Sequence, residues 1–316
     1  MTPALKGVLA PFSIGASTIC RWCFARTVEI KPRRPRCFLF AIKHILCYNH
    51  VMIDCHTHTL YSPDGCETPE AVVCAAVSKG LTYLAITDHL DLTRDGTPSI
   101  LPKKLAEYRK VLEELKDKYS KEIEIAAGIE VGYTRPNANK ISDMITPLNF
   151  DFIINSVHEV NGTDCFYAAY FARKSKEKTY GAYFEAVLES LNAPYPYHAV
   201  GHLGYVERKA PYPDPLAHHS AFQTVLDAIL EMTVEQKKIL EINTNMYGAK
   251  IPWLPNDGIM NRYKALGGTR VTFSSDAHKT DRVGERYAEV TAFVKNVLQL
   301  KGYTVFSNGK ERLLPF

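Results

Sequence analysis

The sequence predicts an α/β fold, either a barrel of parallel strands or a doubly wound sheet. Two observations predict it. Short apolar, β-branched runs alternate with amphipathic helical stretches from Met52 to the C-terminus, and repeated strand, helix, strand is the pattern of parallel sheets. Most of those runs also lead into residue types that bind metals: His56-x-His58, Asp64, Asp88-His89, Glu130, His158, His202 and Asp276-x-His278. In a barrel of parallel strands the C-terminal strand ends meet at one mouth, so residues far apart in sequence converge on one pocket.

The elements follow in order. The first strand, 51–55, runs straight into His56. Thr68-Pro69-Glu70 then offers an N-cap, a first-turn proline and an acid matched to the helix dipole, and the helix 71–79 closes at Gly80. Strand 81–87 is followed by helix 103–119, which sets Leu105, Tyr108, Val111, Leu112 and Leu115 on one face. Strands 123–129 and 150–156 precede helix 175–191. Strand 198–201, helix 217–231, strand 238–243, helix 257–266, strand 269–274 and helix 285–300 complete the series, with a short terminal strand at 303–306. Seven core strands result, each short and apolar as fully buried parallel strands are.

The chain has 316 residues, 46% of them hydrophobic and 23% charged, enough for one large domain or two small ones. Its formal net charge of +4 is uneven. Residues 1–51 carry Lys6, Arg21, Arg26, Lys31, Arg33, Arg34, Arg36 and Lys43 against one acid, Glu29. The remainder is slightly acidic, which argues against a nucleic-acid partner. The apolar stretch 37–47 is broken by Lys43 and His44 and is shorter than the roughly 20 residues of a spanning helix. It also lacks the cleavage pattern of a signal peptide. Residues 1–51 read as a basic N-terminal extension, disordered or outside the native domain, with organelle targeting as the alternative; 52–316 reads as the working domain. Eight cysteines without regular spacing point to a reducing cytoplasm rather than a disulfide framework, and Cys20-x-x-Cys23 has no second pair to complete a zinc site.

The chemistry lies in the clusters. Two residues apart on an extended strand end, His56 and His58 point to the same side and can share an ion. Asp64 adds a carboxylate on the adjoining loop, and Glu130 can bridge two ions because each oxygen can take one. Any single strand-end histidine is more often a hydrogen-bonded core residue, but six strands ending this way describe one polynuclear site. Mixed imidazole and carboxylate ligands without cysteine favour zinc, manganese or iron. Nine ligands, with Asp88 set aside, suffice for three divalent ions.

The motifs Met-Ile-Asp-Cys-His-Thr-His-Thr, Ile-Thr-Asp-His, Ser-Val-His and Ser-Asp-Ala-His resemble those of the PHP family of metal-dependent phosphoesterases, in its histidinol-phosphatase branch, over 52 to about 310. The resemblance implies a distorted seven-stranded (β/α) barrel of TIM-like type, in agreement with the strand count. It implies His56, His58, Glu130 and Asp276 on a first metal, with Glu130 bridging to a second held by His158 and His202. Asp64, His89 and His278 would hold a third. Some relatives have histidine where Asp64 stands, so this site should be harder. Asp88 is expected to orient an imidazole rather than bind metal, and is grouped with Glu130 and Asp276 as catalytic. The reaction implied is hydrolysis of L-histidinol phosphate in histidine biosynthesis, by a hydroxide bridging two ions. A nucleotide phosphoesterase and a noncatalytic module are the alternatives.

Substrate contacts are expected from Arg208 and Lys209, on the loop after His202, and from Arg173, Lys174 and Lys176 in the segment 161–178, which reads as a lid or specificity loop. The substrate's ammonium and imidazole call for acids, and Asp91, Asp95, Glu159 and Asp164 are the candidates. Asn243 and Asn245 end a strand that offers no ligand and are read as contacts to substrate or water. His198, His218 and His219 are read as structural or surface residues, and Tyr180 and Tyr183 as core. A small-molecule phosphomonoester is the expected partner, without nucleic acid or membrane, for a monomer or small homo-oligomer.

Overall fold

The computed structural model describes residues 51–316 except Lys250 and Asn308. The expected extension, up to His50, lies outside the described residues, as do Cys20, Cys23, Cys37 and Cys47. The strands in order are β1 (Ile53–Asp54), β2 (Tyr83–Ile86), β3 (His89–Asp91), β4 (Glu124–Gly132), β5 (Phe152–Ser156), β6 (Glu159–Val160), β7 (Thr163–Asp164), β8 (Ala199–Val200), β9 (Ile239–Asn243), β10 (Val271–Ser274), β11 (Gly302–Ser307) and β12 (Lys310–Pro315).

Seven of them pair in parallel in the order β1-β2-β4-β5-β8-β9-β10. The ring closes between its ends, where the Cys55 N–H donates to the Phe273 carbonyl at 2.9 Å and the Asp276 N–H to the His56 carbonyl at 2.8 Å. This is the nearly closed α/β barrel expected from the strand count. Every residue of β2, β5, β9 and β10 is buried, as strands covered on both faces must be. The short β3 adds to the upper part of β4 with His89 opposite Glu130, which brings the ends of two elements together.

Outside the ring lie α1 (Pro69–Ser78), α2 (Pro102–Lys118), α3 (Ala138–Ile145), α4 (Ala168–Phe171), α5 (Lys176–Ser190), α6 (Gln223–Glu235), α7 (Asp257–Ala265) and α8 (Tyr287–Asn296). Thr68 caps α1 through its hydroxyl, which accepts the Ala71 N–H. Leu105, Tyr108, Leu112 and Leu115 form the buried stripe of α2, as its periodicity predicts. The Tyr108 hydroxyl reaches the carbonyls of Ile86 and Gly128 at 3.0 and 2.9 Å and accepts the Asp88 N–H at 3.1 Å, tying helix to barrel.

Two expectations shift. Helix α6 starts at Gln223 rather than 217, because the buried Glu207 carboxylate accepts the Ala217 N–H and residues His219–Ala221 make a 3₁₀ turn. The terminal strand belongs to an antiparallel hairpin, β11 with β12, whose outer strand is charged and largely exposed. Among the described residues no helix is long and apolar enough to cross a membrane.

Candidate metal centre

The strand ends of the barrel bring the sequence-predicted ligands into one cluster, buried except for the half-buried His89 and His278 and the exposed Asp64. His56 and His58 leave β1 side by side, with ring centroids 4.9 Å apart. Glu130, fully buried on β4, stands at the centre. One of its oxygens lies 3.2 Å from His56 Nε2 and 2.7 Å from His89 Nδ1. The other lies 3.2 Å from His158 Nε2 and 2.9 Å from His202 Nε2. Asp276 Oδ1 is 3.2 Å from His58 Nε2, and Asp64 Oδ2 is 3.0 Å from His278 Nε2. Asp64 is also 3.8 Å from His89.

The atoms of seven of the nine expected ligands fall into three overlapping groups, His56, His58 and Asp276; His89, Glu130 and His158; and His58, His89 and His278, with Asp64 and His202 outside them. Within each group they lie within 4.8 Å of one another. His89 thus groups with Glu130 and His158 as well as with the expected partner His278, and stands nearer to Glu130, at 2.7 Å, than to the expected partner Asp64, at 3.8 Å.

The donor set fits metal ions on a direct observation. His56 Nε2, His58 Nε2, His89 Nδ1, His278 Nε2 and one Glu130 oxygen are buried without a hydrogen bond. Each such group costs on the order of 1–3 kcal/mol unless something satisfies it. Divalent cations held by these groups would satisfy them. Burial works against charge on Glu130, yet the surrounding His56, His89 and His158 rings hold its carboxyl well below the usual range. Burial, with His278 and His89 beside it, keeps His58 neutral, the form that ligates.

A shell of polar groups fixes the imidazoles. Asp91 takes the Nδ1 of His158 at 2.8 Å. Gly132 makes this possible, since a Cβ there would meet the Asp91 carboxylate at 1.8 Å. Glu241, fully buried in β9, takes His56 Nδ1 at 2.6 Å with one oxygen and accepts the His202 N–H with the other. Sequence reading missed Glu241. Its signal was a lone carboxylate inside an otherwise apolar strand.

Asp88 departs from expectation. Its oxygens accept the Thr59 N–H and hydroxyl, both at 2.7 Å, and the Ser62 hydroxyl at 2.6 Å, and they bond to no imidazole. It works one step removed, because Ser62 Oγ is what meets His58 Nδ1 at 3.0 Å. Asp276 holds its carboxylate in place from a left-handed backbone, at φ 51°.

The centre opens into a cleft of about 720 Å³. Arg208 lines it, nearly buried, with Nη2 donating to Asp276 at 2.9 Å and to Asn243 at 2.7 Å. Lys209 stands at the rim, its Nζ 5.0 Å from the Phe166 ring and 5.4 Å from that of Tyr247. Arg173 and Lys176 do not line the cleft: Lys176 pairs with Asp214 at 3.3 Å, and the exposed Arg173 sits at a left-handed turn before α5. Lys174 likewise turns to the Tyr170 carbonyl at 2.7 Å. Asn245 lines the cleft, whereas Asn243 is committed to Arg208 and Asp276. Tyr180 and Tyr183 are core, and His198, His218 and His219 bond to Ile153, Asp214 and Asp227 respectively.

A parallel barrel carrying an imidazole and carboxylate cluster at the C-terminal strand ends defines a metal-dependent hydrolase. Comparison with known proteins makes the class specific. The PHP domain model matches residues 54–245. A histidinol-phosphatase of Lactococcus lactis is 31% identical over 232 residues, covering 73% of this chain and 85% of the relative. A probable histidinol-phosphatase of Thermotoga maritima is 26% identical, covering 77% and 91%. Among solved structures, the L. lactis histidinol phosphate phosphatase complexed with zinc, L-histidinol and phosphate superposes with a TM-score of 0.74 at 26% identity, over 83% of this chain and 98% of that one. The fold is also that of a histidinol phosphatase from Listeria monocytogenes, described as putative, with a TM-score of 0.66 at 21% identity over 75% and 99%. The chain belongs to the PHP family, in its histidinol-phosphatase branch, and is a metal-dependent phosphatase.

Proposed function

We propose that this protein hydrolyses L-histidinol phosphate to L-histidinol and phosphate, in histidine biosynthesis, at a site of three divalent ions. The observation that carries the reading is the clustered ligand set, in a chain that spans nearly the whole of the L. lactis enzyme crystallised with zinc, L-histidinol and phosphate. His56, His58, Glu130 and Asp276 would hold the first ion; Glu130, His158 and His202 the second; Asp64, His89 and His278 the third. When bound, the ions, as zinc, manganese or iron, would make water nucleophilic near neutral pH and would neutralise phosphoryl charge.

The chain's own residues do the rest. Glu130 faces His56 and His89 with one oxygen and His158 and His202 with the other, so it would be shared between two ions. Asp91 and Glu241 hold His158 and His56 in the tautomer that presents Nε2. Arg208 has Nη2 anchored by Asn243 and Asp276, which fixes its guanidinium at the cleft wall for a phosphoryl oxygen. Lys209 at the rim adds positive charge for an incoming phosphate.

The test is phosphate release by the purified chain loaded with zinc or manganese. L-histidinol phosphate should be cleaved far faster than nucleoside monophosphates. The reverse order would select a nucleotide phosphoesterase, and a folded protein that binds no metal would defeat the catalytic reading altogether.

A further inference from the structure

We propose that Asp164, facing Glu159 across the hairpin that follows the ligand His158, is the specificity residue that receives the ammonium group of the substrate. The inference rests on the histidinol phosphate reading above. Strands β6 and β7 form a two-residue antiparallel ladder in which Glu159 stands directly opposite Asp164. Like charges in that relation destabilise a hairpin. A local rule broken beside an active site is a sign of function rather than of folding. The Cys165 N–H bonds the His158 carbonyl at 2.8 Å, so the pair is held against a metal ligand rather than swinging free.

The charge layout assigns the role. Of the acids lining the cleft, Asp64 and Asp276 sit among the ligating imidazoles and Asp91 is committed to His158. Asp164 accepts the Phe166 N–H at 2.7 Å with one oxygen, and its second oxygen has no donor among the described residues. The cations of the cleft, Arg208, Lys279 and Arg282, come from the loops after β8 and β10. A side recess of about 210 Å³ shares Asp91, His158 and Asp164 with the cleft, includes Glu159, and is lined by no lysine or arginine. Arg94, the counter-charge that Glu159 does feel, packs over Gly162 at the hairpin turn. A substrate with an anionic and a cationic end therefore has one orientation: phosphate toward Arg208, ammonium toward Asp164. Phe166, whose ring lies 5.1 Å from Tyr247 and 6.4 Å from Tyr205, offers the imidazole an aromatic wall.

The experiment compares two substrates on the metal-loaded enzyme, L-histidinol phosphate and its amine-free analogue 3-(imidazol-4-yl)propyl phosphate. The wild type should prefer the amine-bearing substrate in kcat/KM. Asp164→Asn should cut that preference by about 10–100-fold, the weight of one charge-assisted hydrogen bond. Its Tm should stay level or rise, because a like-charge contact is removed. Should Asp164→Asn fail to fold, Asp164→Ser is put through the same comparison. A preference that survives the substitution, or a wild type that never had one, overturns the proposal. A wild type that cleaves p-nitrophenyl phosphate but neither imidazole substrate shows instead that the substrate reading has failed, and this inference falls with it.

Discussion

Replacing Glu241 by glutamine should weaken metal binding about 10–100-fold, the usual cost of losing a carboxylate behind a metal-bound histidine. Glu241 is fully buried, 2.6 Å from His56 Nδ1, and also accepts the His202 N–H. A carboxylate only accepts, so it can serve both donors. The amide of glutamine accepts through one atom alone, and in either orientation it sets an N–H against an N–H. One buried donor left unpaired costs on the order of 1–3 kcal/mol, which corresponds to about the same span in affinity. The two residues affected belong to different proposed ions, so the loss should appear in both. A chelator competition titration measures it, with the Tm of the metal-free variant recording any structural cost separately. Metal affinity within about twofold of wild type would refute the reasoning, because the structure gives His56 no other partner for Nδ1 among the described residues.

Other outcomes follow from the same geometry. Glu130→Gln should lower the metal content by two ions together, whereas His278→Ala should chiefly lower one, as elemental analysis of the purified variants will read. Arg208→Lys should raise KM and weaken inhibition by inorganic phosphate about tenfold or more, since an ammonium cannot bond Asp276 and Asn243 and still offer a planar donor. Glu207 is buried and its carboxyl is pushed up from 4.5 to about 8. With the folded pKa above the unfolded one, its contribution is fully present below about pH 4.5 and is lost as pH rises toward 8, by at most about 5 kcal/mol. Glu207→Gln should therefore flatten the fall in Tm of the wild type over that window; parallel profiles for the two would contradict the assignment.

What could be read from the chain before its structure divides along a physical line. Ligands at strand ends were legible because the parallel barrel sends every such end to one mouth, so position along the strand is position in space. Glu241 was hidden because a single acid within Lys238–Asn243 does not disturb an apolar average, although its inward register makes it decisive. Asp91 was seen only as a loop acid; the short β3 that carries it to His158 is three residues long and has no periodicity to detect. Helix α3 was missed because its eight residues span little more than two turns, too few for a helical period to stand out. Arg173 and Lys176 were near the site in sequence but not in space, because the hairpin and α4 turn the chain away before α5 begins.

Closure of the ring between β1 and β10 has a consequence for biogenesis. His56 and His58 leave the ribosome early, but Asp276, and the backbone bond that seats it against His56, come only when synthesis of the barrel is nearly done. Such a non-local pairing cannot guide the early steps of folding. Metal capture at the first position therefore certifies a finished barrel, and a chain truncated before β10 should leave that position empty whatever the supply of ions.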